Sequence, residues 1–172
     1  GAYSTVGSTW TSTSFSTTVT VGHTYTFRVR ARDWAGNVGA WKVAAIVKPA
    51  VTQQTSSHVT YSGTWSTGST SKYTGGTVKY ATAAGASATY SFTGRSIAWV
   101  TTKATRSGSA RIYIDGVLAS TMSLYASSYT YKYVAFEMSW TTSGAHTIKV
   151  EVVGTSGHPR IDIDAFLVLV NG

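Results

Sequence analysis

Residues Tyr25, Phe27, Val29 and Ala31 alternate with Thr24, Thr26, Arg28, Arg30 and Arg32. A period of two fits a half-buried strand and no helix. The same period returns in Ala110–Ile114, in Tyr131–Met138 with Val134, Phe136 and Met138 on one face, and in His146–Val153 with Ile148, Val150 and Val152 inward. An apolar period of 3.6 never develops, so the chain is committed to sheets. Thr, Tyr and Val supply the strands, and Ser and Gly supply the turns.

Further strands are expected at Thr17–Val21, Trp41–Val47, Val59–Tyr61, Thr77–Ala81, Ala88–Phe92, Ser96–Thr101, Val117–Leu124 and Arg160–Val170. Gly94 closes one of them. Asp115-Gly116 is a strong hairpin signal between two others. The last segment is nearly all apolar from Ala165, which suits a central strand buried on both faces. Strands at this spacing predict an all-β sandwich or barrel. Residues 1–22 are rich in Ser and Thr, with Trp10 and Phe15 as anchors.

Lys48-Pro49-Ala50 interrupts the pattern, because Pro49 lacks a backbone donor and restricts the residue before it. The expected organisation is therefore a first domain over 1–48, a linker over 49–57 and a second domain over 58–172.

Two resemblances attach to these domains. Tyr-x-Phe-x-Val-x-Ala followed by Asp33-Trp34-Ala35-Gly36-Asn37 resembles the last two strands of a fibronectin type III domain, a common spacer in secreted bacterial proteins. Residues 1–48 offer only three or four strands, where such a sandwich uses about seven. The chain is thus expected to begin inside a domain. A half sandwich exposes an apolar face and an open edge. Three remedies stay open: strands from a neighbouring chain, packing on the second domain, or excision from a longer protein. Tyr25, Phe27 and Val29 are the residues that test them.

The second resemblance rests on Tyr61-Ser62-Gly63-Thr64-Trp65, Gly75-Gly76-Thr77, Tyr90-Ser91-Phe92-Thr93-Gly94, Ala110 to Gly116, Gly144 to Ile148 and Ile163-Asp164-Ala165-Phe166. Their order over roughly 55–170 is similar to the galactose-binding-like jelly roll that accompanies catalytic domains in extracellular bacterial enzymes and adhesins. The resemblance implies carbohydrate binding without catalysis, although some such modules have no known ligand and some carry a structural calcium ion.

Flat aromatic rings complement the apolar C–H faces of sugars. The densest run is Leu124 to Tyr133, in which Tyr125 and Tyr129 fall in a loop and Tyr131 begins a strand. Tyr125, Tyr129 and Tyr131 are the candidate stacking platform, and Trp65 and Trp140 are further candidates. The alternative is that such rings close the open end of the core, where their burial energy is large. Of the tryptophans, Trp65 suits packing across the sandwich mouth, Trp99 suits the core and Trp140 suits an exposed turn. Lys72 and Lys132 favour an acidic glycan.

Catalytic chemistry finds little support. Only six acids occur in 172 residues. Asp162 and Asp164 sit two apart on one strand, a placement that cannot flank a glycosidic bond. No nucleophile elbow or phosphate-binding loop is present. The absence of cysteine excludes disulfides and Cys-ligated zinc. The four histidines are scattered, so no metal site is expected. For structural calcium, Asp162 or Asp164 would need more oxygen partners than the sequence places nearby.

The formal charge is +8, with an isoelectric point near 9.8. That balance favours anionic partners, but the basic residues are dispersed and form no cluster of the nucleic-acid type. No apolar run reaches the ~20 residues of a membrane span. The reading is therefore a non-catalytic module of a larger protein, secreted or at the cell surface, that binds a polysaccharide or surface glycan. Its rival is a structural or adhesive surface module without a small-molecule ligand.

Overall fold

A computed structural model of the chain describes residues 2–6 and 15–172. Trp10 lies outside them. Among the described residues the only helical element is a single 3₁₀ turn, Thr74–Gly76. Among the described residues no helix is long and apolar enough to cross a membrane.

The strands are β1 (Arg28–Val29), β2 (Lys42–Val43), β3 (Val47–Gln53), β4 (Val59–Ser62), β5 (Ser66–Ser69), β6 (Thr77–Ala81), β7 (Ser87–Lys103), β8 (Ser109–Ile114), β9 (Val117–Ser123), β10 (Thr130–Val152), β11 (Ile161–Ile163) and β12 (Ala165–Asn171). All pair antiparallel. A large sheet runs β3-β12-β7-β10-β8-β9, with β4 also on β7; β11-β6-β5 form a second sheet and β1-β2 a small third.

The sandwich is built around two long strands. The first part of β7 pairs with β4 and its second part with β12. β10 follows β7 along both parts, with a break in register between Ser139 and Gly144 opposite Gly94–Ser96. Arg95 steadies that break by donating to the Thr141 carbonyl. The two parts of the sheet then face each other: Tyr90 from the first part of β7 stacks on Phe166 of β12, ring centres 5.0 Å apart. Between them lie Ile97, Trp99, Ile112, Ile148, Val150, Ile161, Ile163 and Phe166, all at most 1% exposed. Side chains of this size contribute about 1.5–3 kcal/mol each on burial.

Several expectations change here. The segment expected as a linker enters the fold as β3, which pairs with β12 from Gln53 to Val47. Pro49 is tolerated because β3 is an edge strand, where a missing donor breaks no inner ladder. Ala88–Phe92 and Ser96–Thr101 are one strand that turns at Gly94 rather than ending there. Tyr131–Met138 and His146–Val153 likewise fuse into β10. Arg160–Val170 divides at Asp164, so that β11 pairs with β6 while β12 pairs with β3 and β7. Val134 is 41% exposed rather than sharing the inward face of Phe136 and Met138, because the register slips between Val134 and Phe136. Thr17–Val21 is not a strand.

Among its described residues the front segment has no core of its own. None of the described residues from 2 to 46 is buried. Tyr25 and Phe27 are half-buried, with rings stacked 6.1 Å apart, and Val29 is 61% exposed. Paired backbone bonds between Tyr25 and Val47, 2.8 and 2.9 Å, attach this segment to the start of β3.

Candidate functional site

Three connections meet at one end of the sandwich, and backbone hydrogen bonds tie them together. Ala126 N–H donates to Ala104 (3.2 Å), Leu124 to Gly108 (2.9 Å), Gly108 to Arg160 (3.0 Å) and Arg160 to Arg106 (3.1 Å). Leu124 is wholly buried and pins the β9–β10 loop. Next to it the chain turns outward, leaving Tyr125 50% and Tyr129 44% exposed.

The tyrosines form an ordered array. Tyr129 stacks on Tyr131, with ring centres 5.4 Å apart and planes 15° off parallel. Tyr131 in turn meets buried Tyr73 edge-on at 5.4 Å. Tyr125 rests against His158 at 5.1 Å. The Arg106 guanidinium lies 5.6 Å above the Tyr129 ring and the Lys72 ammonium 5.2 Å from Tyr131. Lys132, the residue after Tyr131, has a left-handed backbone (φ 54). The β7–β10 register slips at the same place, between Thr130 and Tyr133.

Two carboxylates lie beneath. Asp162, 3% exposed, accepts from Arg160 Nε at 2.5 Å. Burial pushes its carboxyl up, and Arg160 pulls it back. Asp164, 0% exposed, accepts from the Thr74 backbone at 2.8 Å and the Thr74 hydroxyl at 3.2 Å. Burial raises Asp164 to about 6, against those two bonds. Both acids are engaged and enclosed, so neither is offered to a ligand as a general acid or base. Among the described residues no three His, Asp or Glu side chains converge as a metal site would require.

The structure brings Tyr125, Tyr129 and Tyr131 to this end and separates them from both tryptophans. Trp65 packs on Tyr61 at 5.0 Å, and its Nε1 donates to the Ser62 carbonyl at 3.0 Å. Trp140 is nine residues along β10 from Tyr131, about 30 Å at strand rise. There it stacks on His146 at 3.8 Å and leans on Phe92 at 6.1 Å. It is half-buried against the core rather than free in a turn. Arg106, Tyr73 and His158 join the tyrosines although no local pattern marks them. Arg106 lies in what reads as a plain hairpin turn, and its place depends on the distant pairing of Ser107 with Arg160.

No protein-family model matches the chain. Over 106 residues it is 31% identical to the A type blood N-acetyl-α-D-galactosamine deacetylase of Flavonifractor plautii, covering 62% of this chain and 13% of that protein. Over 106 residues it is also 35% identical to the A type blood α-D-galactosamine galactosaminidase of the same organism, covering 62% of this chain and 9% of that one. The match thus spans about a tenth of each enzyme. Among solved structures, the chain resembles a two-domain esterase active on acetylated mannans, crystallised with mannopentaose. The TM-score is 0.59 at 14% identity, over 72% of this chain and 37% of that one. At that identity the likeness is one of fold. The chain carries a jelly-roll β-sandwich.

Proposed function

We propose that this chain is a non-catalytic carbohydrate-binding module within a longer polypeptide that is secreted or displayed at the cell surface. Tyr125, Tyr129 and Tyr131 form its platform, and residues 1–48 are a partial fibronectin type III-like spacer. The observation that carries this reading is the Tyr129–Tyr131 stack, open to solvent on Tyr129 and flanked by Arg106 and Lys72. Stacked rings held by neighbours present a preorganised apolar face at little entropic cost. The adjoining cations supply donors for hydroxyls or acidic groups. The two similar enzymes act on amino sugars by name, which supports a glycan partner for the segment shared with them. A glycan array covering neutral, amino and acidic sugars tests the reading, with Tyr129→Ala as the control. Retention of a glycan by the native chain and its loss by Tyr129→Ala is the expected result. Absence of binding to every glycan would overturn it.

A structural or adhesive role is the second reading. It is favoured by the exposed rings and aliphatics of the front segment, where Trp34 is fully exposed (101%) and Val29 and Val43 are 61% and 59% exposed. Self-association measured by sedimentation, lost in Trp34→Ser, would support that role.

A further inference from the structure

The front hairpin carries a charged face that the sandwich site does not use. Residues 1–48 hold five of the fourteen Lys and Arg residues and one of the six acids. Arg28 in β1, Arg30 just after it and Arg32 in a bridge to Val38 recur every second residue, and all three are exposed. The nearby acid is occupied: both Asp33 carboxylate oxygens accept from Asn37, at 2.8 Å each. Among the described residues, none of the three arginines has a carboxylate partner.

Like charges at this spacing repel and bring no stability to the strand. Aromatic rings nevertheless hold two of them in place. The Arg28 guanidinium lies 3.9 Å from the centre of Tyr3 and 4.2 Å from that of Trp41, and Arg30 lies 4.4 Å from Trp41. The pairing of Val29 with Lys42 puts Arg30 across from Trp41. A guanidinium flat on a ring keeps its N–H edge free for two parallel bonds to a carboxylate. Its rotamers are already restricted before any ligand arrives, which lowers the cost of binding.

We propose that Arg28 and Arg30, ordered by Trp41 and Tyr3, form with Arg32 a second binding strip that takes a linear acidic polysaccharide through its carboxylates. Trp41 stays 43% exposed but carries two guanidiniums against its ring, so the strip offers paired N–H edges rather than a bare stacking face, which favours a polyuronate over single-stranded nucleic acid. The strip lies apart from the tyrosine platform and stands or falls independently of it.

The test uses the full chain and polygalacturonate at 50 mM and 200 mM NaCl, with binding read by calorimetry. Binding at low salt that weakens at least tenfold at high salt is expected. The triple variant Arg28→Gln, Arg30→Gln, Arg32→Gln should lose at least tenfold at 50 mM. Removing three charges from the sandwich instead (Lys79→Gln, Arg111→Gln, Lys149→Gln) should cost less than threefold. Trp41→Ala should lose severalfold with no change in charge. The proposal is overturned by absence of binding at 50 mM NaCl, by equal losses in the two triple variants, or by single-stranded DNA binding more tightly than polygalacturonate. Because the substituted arginines are exposed, an unchanged melting temperature separates lost binding from lost fold.

Discussion

Asp164 holds Thr74 twice, accepting from its backbone N–H at 2.8 Å and its hydroxyl at 3.2 Å, and so fastens the loop before β6 to the head of β12. Burial raises this carboxyl from 3.8 to about 6. A folded value above the unfolded one means the native state holds the proton more tightly between those limits. Stability from this group is therefore greatest below pH 3.8 and declines as pH rises to about 6, a loss of at most about 3 kcal/mol. Asp164→Asn keeps an acceptor for the Thr74 N–H and a donor for its hydroxyl without the charge. Denaturant melts of the variant should show a flatter pH dependence between 4 and 6 than native protein. Asp164→Ala leaves the Thr74 N–H unpaired and should lose about 2 kcal/mol at pH 7. Parallel pH curves for native protein and Asp164→Asn would contradict this account.

Asp115 opens the hairpin between β8 and β9 with a left-handed backbone (φ 50), followed by Gly116 (φ 82). Its carboxylate also bonds His146 at 2.8 Å and the Thr147 N–H at 2.7 Å. The His146 hydrogen bond, with that of Thr147, holds it below the usual carboxylate range. The sign is opposite to that of Asp164: the contribution is present above pH 3.8 and fades as pH falls through the lowered value. Asn also accepts a left-handed backbone. Asp115→Asn should therefore cost only about 0.5–1 kcal/mol at pH 7 for this half-exposed pair, and less in acid. Asp115→Ala should cost about 1 kcal/mol more through the turn itself. Thermal melts at pH 7 and pH 3 separate the two effects.

These two carboxylates show where the sequence was readable. Asp115-Gly116 announces its turn locally, and the hairpin is where the residues place it. Strands with clean alternation, such as Ala110–Ile114 and Thr77–Ala81, were legible for the same reason. β5 was not: Ser66–Ser69 has no apolar alternation and exists through its backbone ladder to β6. β3 was hidden by Pro49, whose penalty depends on whether the strand is central or edge. The tyrosine loop was visible in composition. Its cations were not, because Arg106 reaches Tyr129 only through pairing between distant connections. Trp140 misled because its flanking Ser, Thr and Gly read as a turn, whereas they form the bulge that folds β10 over.

That fold-over requires Gly94. A Cβ there would overlap Val168 Cγ1 and stand 2.9 Å from the Leu169 carbonyl oxygen. Both neighbours belong to β12, a central strand with no room to retreat. Gly94→Ala should lose about 3 kcal/mol, at the upper end of overpacking costs. Gly116→Ala has open space around its Cβ and pays for its positive φ alone, about 1 kcal/mol. Comparing the two by denaturant melts distinguishes steric contact from backbone strain. A smaller loss for Gly94→Ala than for Gly116→Ala would count against the close approach of β7 and β12.

The stacked pair Tyr129 and Tyr131 should divide binding from stability. Tyr129 is 44% exposed and touches Tyr131 and Arg106, so Tyr129→Ala should change stability by about 0.5 kcal/mol or less while abolishing glycan retention. Tyr131 also meets Tyr73, which is 7% exposed. Tyr131→Ala removes both aromatic contacts and should lose about 1–2 kcal/mol as well as binding. Tyr129→Phe preserves the ring and should keep most of the affinity if stacking on the sugar face provides it. Glycan affinity and melting temperature measured on all three variants check the division. Full affinity in Tyr129→Ala would show that the ring does no more than shield Tyr131 and Tyr73 from water, and the platform would then belong to the core.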